Sequence, residues 1–206
     1  MKRFLFLIVL AVLPMSLRAQ QRIFLFPEFV DGQIVFINQS RADVRLNIDT
    51  FNQVILFYDG ETLMELTNPE MIRVLKAGER SFVMKEGLLC EVIGRDSGPV
   101  FVNWKLKKVN VGSKGALGAT TQAKVEVVNA RANDVQEIWV QKNENTYFFS
   151  VGDKECRNIR RLKDLYKAFP ERAGQLKEYA RKNKLTMTSA DDAFRMIDYL
   201  RSLYAE

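Results

Sequence analysis

The chain of 206 residues contains no histidine. Imidazole is the one side chain whose ordinary pKa lies near neutrality. Its absence removes Ser-His-Asp and Cys-His catalysis, His-built zinc sites and His proton relays from within this chain. Cysteine is almost as scarce: Cys90 and Cys156 are the only two, too few for a thiolate metal site. An oxidising compartment allows a disulfide between them. Cys90, however, shares a strand face with Leu88 and Val92, a setting that predicts a small buried thiol and no bridge. Ser-x-x-Lys and the D-x-D-x-D-G calcium loop are also missing.

Long apolar runs are missing too, except one at the start. Lys2 and Arg3 precede an almost unbroken apolar stretch, Phe4 to Leu17, and Ala19 offers a small residue at a cut site. This is the layout of a cleavable secretory signal peptide over residues 1–19. The stretch is shorter than the ~20 residues that span a bilayer, so no transmembrane span is expected after cleavage. Lys2, Arg3 and Arg18 account for three of the 31 basic residues, so about half of the net charge of +6 leaves with the signal. Of the rest, residues 20–153 carry 15 basic and 17 acidic side chains, and residues 154–206 carry 13 and 8. Export removes the occasion for a nucleic-acid reading of that basic tail.

From Arg22 to Val151 the chain reads as short strands. Val44, Leu46 and Ile48 alternate with Asp43, Arg45, Asn47 and Asp49, and Val102, Trp104 and Leu106 alternate with Asn103, Lys105 and Lys107. Each series predicts a strand with one wet face. Further strands are expected near Ser81–Met84, Leu88–Ile93, Lys124–Val128, Glu137–Gln141 and Thr146–Val151. Asp31-Gly32 and Asp59-Gly60 predict tight hairpin turns. The stretch Gly112–Thr121, with an irregular stretch at 129–135 after it, reads as the main loop. It holds Lys114, but lacks the Gly-Lys-Ser/Thr order and the following helix of a phosphate-binding loop.

After residue 153 the period changes. Ile159, Leu162, Leu165, Tyr166 and Phe169 fall on one helical face. Pro170 ends that helix and opens a second, whose stripe is Ala173, Leu176, Tyr179 and Ala180. Ser189 and Asp192 form a capping-box pattern for a third, which buries Ala193, Phe194, Ile197, Leu200, Leu203 and Tyr204. Asp191–Arg195 and Glu178–Lys182 are expected i,i+4 pairs. The expected fold is therefore α+β: an antiparallel β-rich meander, roll or sandwich at 20–153, then about three packed helices at 154–206.

Paired carboxylates could still make a glycosidase, which needs two acids about 5–10 Å apart. Glu28 with Asp31, and Asp59 with Glu61, are close in sequence, but each pair is accounted for by turn chemistry. The residues indicate no catalytic, metal-binding or cofactor-binding set. Lys114, Arg160, Arg161 and Lys163 are the candidate contact residues, the last three as a basic surface at the start of the helical segment.

Several short segments carry a resemblance. These are the signal end Leu17-Arg-Ala-Gln20, Leu56-Phe-Tyr-Asp-Gly-Glu-Thr62, Ser113-Lys-Gly-Ala116, Asn145-Thr-Tyr-Phe148, Phe169-Pro-Glu-Arg172 and Arg181-Lys-Asn-Lys184. Together they resemble uncharacterised secreted and periplasmic proteins of Bacteroidetes-type bacteria. That resemblance implies a place in the cell envelope and attaches no activity. The functional expectation is a secreted or periplasmic, non-enzymatic binding or scaffold protein whose partner is an envelope protein or glycan. The alternatives are a His-free carboxylate hydrolase, marked by two close carboxyls with perturbed pKa values in a cleft, and a carrier of an apolar ligand, marked by an internal apolar cavity of ~300 Å³ or more.

Overall fold

The computed structural model describes residues 22–114, 120–121 and 136–205, with side chains described outside 110–139. The expected signal segment, the strand expected at Lys124–Val128 and the irregular stretch at 129–135 lie outside the described residues. The elements run β1 (Val30–Phe36), β2 (Arg41–Asp49), β3 (Val54–Asp59), β4 (Thr62–Glu65), β5 (Ile72–Ala77), β6 (Arg80–Lys85), β7 (Leu88–Ile93) and β8 (Val100–Asn103). They continue with β9 (Leu106–Lys114), β10 (Thr120–Thr121), β11 (Gln136–Asn143), β12 (Thr146–Val151) and β13 (Lys154–Ile159). Three helices close the chain: α1 (Leu162–Ala168), α2 (Ala173–Lys182) and α3 (Ala190–Ser202). The α+β expectation holds.

Ten strands form one antiparallel sheet in the order β13-β12-β8-β7-β6-β5-β1-β2-β3-β4, and β10-β9-β11 form a second. In a flat sheet β8 and β3, six positions apart, would be separated by roughly 29 Å at the usual strand spacing. Instead Gln53, in the β2–β3 turn, donates to Trp104 O at 2.9 Å and accepts from Asn103 at 2.9 Å. Leu106 N–H bonds Thr50 O nearby. The sheet therefore curls on itself as a roll. Its inner face closes one core around Ile34, Leu46, Ile48, Ile55, Ile72, Leu75 and Phe82.

The helices cover the β8–β12–β13 end of the sheet. Val100, Val102, Tyr147, Phe149, Cys156 and Ile159 meet Leu165, Phe169, Leu176, Met196, Ile197 and Leu200 in a second core. Each fully buried side chain of this kind contributes ~1.5–3 kcal/mol, which the short helices need for their stability. Between the cores runs a polar seam. Glu91 accepts from Arg80 Nε at 2.7 Å and from Trp104 Nε1 at 2.5 Å, while Arg80 lies over the Phe26 and Phe82 rings.

Several sequence expectations are corrected here. Asp31-Gly32 is no turn: it lies within β1, which pairs on both sides, with β2 and β5. Gly32 is needed for close approach, because a Cβ there would stand 2.4 Å from Lys76 O. The β1–β2 turn instead falls at residues 37–40, where Asn38 Oδ1 accepts from Ser40 N–H. The expected strand through Val102, Trp104 and Leu106 is broken at Trp104–Lys105, where the chain passes from one sheet to the other. Gly112–Lys114, expected in a loop, belong to β9, and Lys114 pairs with both Thr120 and Gln136.

Asn47 and Asp49, expected on a wet face, are buried. Their side chains replace ladder bonds where the segment before β1 leaves β2. Asn47 accepts from Phe26 N–H and donates to Phe26 O and Glu28 O, and Asp49 accepts from Ile23, Phe51 and Asn52 N–H.

The helical segment begins at Leu162 rather than at 154, because Lys154–Ile159 is the sheet's last strand. Pro170 opens a 3-10 turn, Pro170–Arg172, ahead of α2. Ser189 caps α3 by accepting from Asp192 N–H at 3.1 Å, but the Asp192 carboxylate turns to Thr186. Arg195 donates to Asn183 at 3.4 Å.

Candidate functional site

The ten-stranded sheet has two edges, and the chain treats them differently. The β13 edge has the features that discourage pairing. Its register with β12 shifts, Asn158 takes a left-handed φ of 54°, and Lys154, Glu155 and Arg157 stand exposed along it. The β4 edge has less protection. All four of its residues are exposed, Leu63 at 38 % and Met64 at 43 %.

The hairpin geometry fixes which β4 groups are unpaired. Asp59 pairs with Thr62 across the two-residue loop Gly60-Glu61, with Gly60 at φ 61°, so the expected hairpin is present. Residues flanking such a loop exchange hydrogen bonds, and bonded pairs alternate along an antiparallel ladder. Thr62, Met64 and Leu66 therefore bond inward, as the Leu66 N–H to Ile55 O bond of 2.9 Å shows. Leu63 and Glu65 point their main-chain N–H and C=O groups outward.

Apolar surface flanks this edge on both sides. Leu63 pairs with Tyr58, Tyr58 packs on Phe29 with ring centroids 4.8 Å apart, and Phe29 packs on Phe24 at 5.5 Å. At the far end of β4, Leu66 and Thr67 lead into an open recess of about 300 Å³ shared with Phe36, Asn68 and Met71. Ile37 N–H bonds Met71 O beside it. Of the seven exposed large apolar side chains among the described residues, only Tyr204 lies outside this group. Exposed apolar side chains gathered in this way are a common feature of contact surfaces.

Compared with known proteins, the chain matches no family model, no curated protein and no solved structure.

Arg160, Arg161 and Lys163 come together at the β13–α1 junction, all exposed, whereas Lys114 lies in the other sheet. Arg160 Nε donates to Thr146 Oγ1 at 3.1 Å, and Arg161 lies 3.8 Å from Asp164. The Asp164 carboxylate also accepts from the Arg160 and Arg161 main-chain N–H groups, an N-terminal helix cap. Two of the three basic side chains thus have local structural partners.

Glu28, Asp31, Asp59 and Glu61 are all exposed. Asp96 and Asp198 do share an open recess of about 500 Å³ with Arg201. There the Arg95 guanidinium, hydrogen-bonded to Asp198 and aided by Ser97, holds the Asp198 carboxyl below its ordinary pKa. A general acid requires the opposite shift. Arg201 is buried and donates to the carbonyls of Ser150, Gly98 and Pro99 and to Ser97 Oγ, fastening α3 to the sheet. Among the described residues, no group of three His, Cys, Asp or Glu could hold a metal ion.

Cys90 and Cys156 are both free and buried. Burial pushes the Cys90 thiol up to about 12, against a small opposing effect of Lys85, and the Cys156 thiol up to about 11. A cavity more enclosed than these recesses, bordered by Leu25, Ile55, Phe82, Met84 and Trp104, measures about 60 Å³. Among the described residues, no helix is long and apolar enough to cross a membrane.

Proposed function

We propose that this chain is an exported cell-envelope protein that binds a protein partner by adding the partner's strand to β4. One observation carries this reading: an exposed edge strand with outward main-chain groups at Leu63 and Glu65, flanked by the only concentration of exposed apolar side chains among the described residues. Such an edge supplies main-chain hydrogen bonds for affinity and side-chain contacts on alternate faces for selectivity. The Lys2-Arg3 start and the apolar stretch after it support export.

The alternatives have less support. The sequence-adjacent carboxylate pairs are exposed, and Asp198 is held ionised by Arg95. The more enclosed cavity of about 60 Å³ is well below the ~300 Å³ of a small-molecule site, and the larger recesses, of about 300 and 500 Å³, are open to solvent rather than internal.

The test is site-specific cross-linking in the native envelope, with photoreactive benzoylphenylalanine in place of Leu63 or, as a control, Lys154 on the opposite edge. The expected result is a discrete adduct from position 63, none from position 154, and loss of the adduct when Glu65→Pro is added. Equal adducts from both positions, or an adduct indifferent to Glu65→Pro, would refute the reading.

A further inference from the structure

Resting on the β4 reading, we propose that the partner segment is an extended strand with two basic residues bracketing an apolar pair. From Leu46 to Ile72 the chain has no lysine or arginine. Over the same span Asp59, Glu61, Glu65 and Glu70 are all exposed around β4. Arg45, across β3 at Tyr58, is occupied by its bond to Phe29 O at 3.2 Å.

The register assigns the pattern position by position. On an added strand, the residue opposite Glu65 lies within reach of its carboxylate, and opposite charges there are favourable. The next residue meets Met64 on the other face, and the next meets Leu63 beside the Tyr58–Phe29–Phe24 rings. The one after that faces Thr62, and the fifth comes level with Glu61. Basic, apolar, apolar or aromatic, neutral, basic is the sequence this edge selects. A second copy of this chain is a poorer occupant, because its β13 edge has a shifted register and a left-handed Asn158.

The probe is the blocked peptide Val-Lys-Val-Phe-Thr-Lys-Val, with a twin carrying glutamate at both lysine positions, titrated against the protein by fluorescence anisotropy. The lysine peptide should bind at least tenfold more tightly than its twin at low salt. The difference should shrink in 0.5 M salt, as screened surface charges require. The double variant Glu61→Lys, Glu65→Lys should reverse the preference, and Leu63→Pro should abolish binding of both peptides. Proline is tolerated where an edge N–H faces solvent, and circular dichroism verifies that each variant is folded.

If both peptides bind equally and Leu63→Pro removes both, the edge reading stands and the charge inference fails. If Leu63→Pro leaves binding intact, the edge reading itself fails. Absence of binding to the lysine peptide at 1 mM overturns the inference. So does concentration-dependent self-association through Leu63 that the peptide does not compete away.

Discussion

Arg201→Met is the sharpest probe of how the helices are held. Arg201 is 8 % exposed and donates four hydrogen bonds: to Ser150 O at 3.0 Å, Gly98 O at 2.7 Å, Pro99 O at 2.8 Å and Ser97 Oγ at 3.2 Å. Burial lowers the pKa of its guanidinium, but arginine keeps its proton throughout the neutral range. Methionine fills similar volume and leaves three carbonyls without their donor, at ~1 kcal/mol or more each. Water from the adjoining recess and the packing of the new side chain against Phe149 offset part of this. The net loss should be about 2–3 kcal/mol. For a domain of this size that corresponds to a Tm lowered by roughly 4–12 °C. Urea unfolding followed by circular dichroism should show a lower midpoint with an unchanged m-value. Arg201→Lys should fall between the parent and Arg201→Met, since an ammonium cannot reach all three carbonyl groups from one point. A variant within 0.5 kcal/mol of the parent would refute the idea that this side chain fastens α3 to the sheet.

Other predictions concern titration, thiols and the helical core. Asp198 has its pKa lowered chiefly by its hydrogen bond to Arg95, so its contribution to stability is present above the ordinary aspartate value near 4 and is lost as pH falls through its lowered pKa. Urea midpoints measured from pH 6 to pH 2 should fall more steeply for the parent than for Asp198→Asn, and parallel curves would contradict this. Alkylation of native protein should leave Cys90 and Cys156 unlabelled, and denaturant without reductant should expose both; labelling that requires a reductant would show a bridge. Leu165→Asp buries an unpaired charge in the helical core and should lower the Tm by 10 °C or more. Replacing Arg160, Arg161 and Lys163 together with Gln should shift it by less than about 3 °C, and loss of salt-sensitive envelope association by that folded variant would assign binding to the basic surface instead.

Local periodicity made much of this fold legible. The strands expected around Ser81–Met84, Leu88–Ile93, Glu137–Gln141 and Thr146–Val151 are present, as is the Asp59-Gly60 hairpin. What escaped was decided by distant neighbours. Cys156 and Ile159 are three residues apart and both face the helices, which in sequence reads as a helical period. In the structure that spacing arises from a bulge: Phe149 pairs with Cys156 and Tyr147 with Ile159, so β13 carries an extra residue. Asp49 alternates like a solvent-facing residue but lies beneath the segment that precedes β1. Arg201 resembles any basic residue on a helix, and nothing in its neighbourhood in sequence announces the three carbonyls it meets.

The candidate site was less legible than the fold. Leu63 and Met64 follow a turn and read as an ordinary short apolar pair, because an edge is a property of the whole sheet. The only local signal was the long span, Leu46 to Ile72, without a basic residue.

Residue-resolved amide exchange at β4 tests the central claim most directly. The Leu63 and Glu65 N–H groups point away from β3, so they should exchange quickly in the free protein and at least tenfold more slowly when the lysine peptide is saturating. Thr62, Met64 and Leu66, already bonded inward, should change much less. Protection confined to other strands, or peptide binding with unaltered exchange at Leu63 and Glu65, would contradict strand addition at this edge.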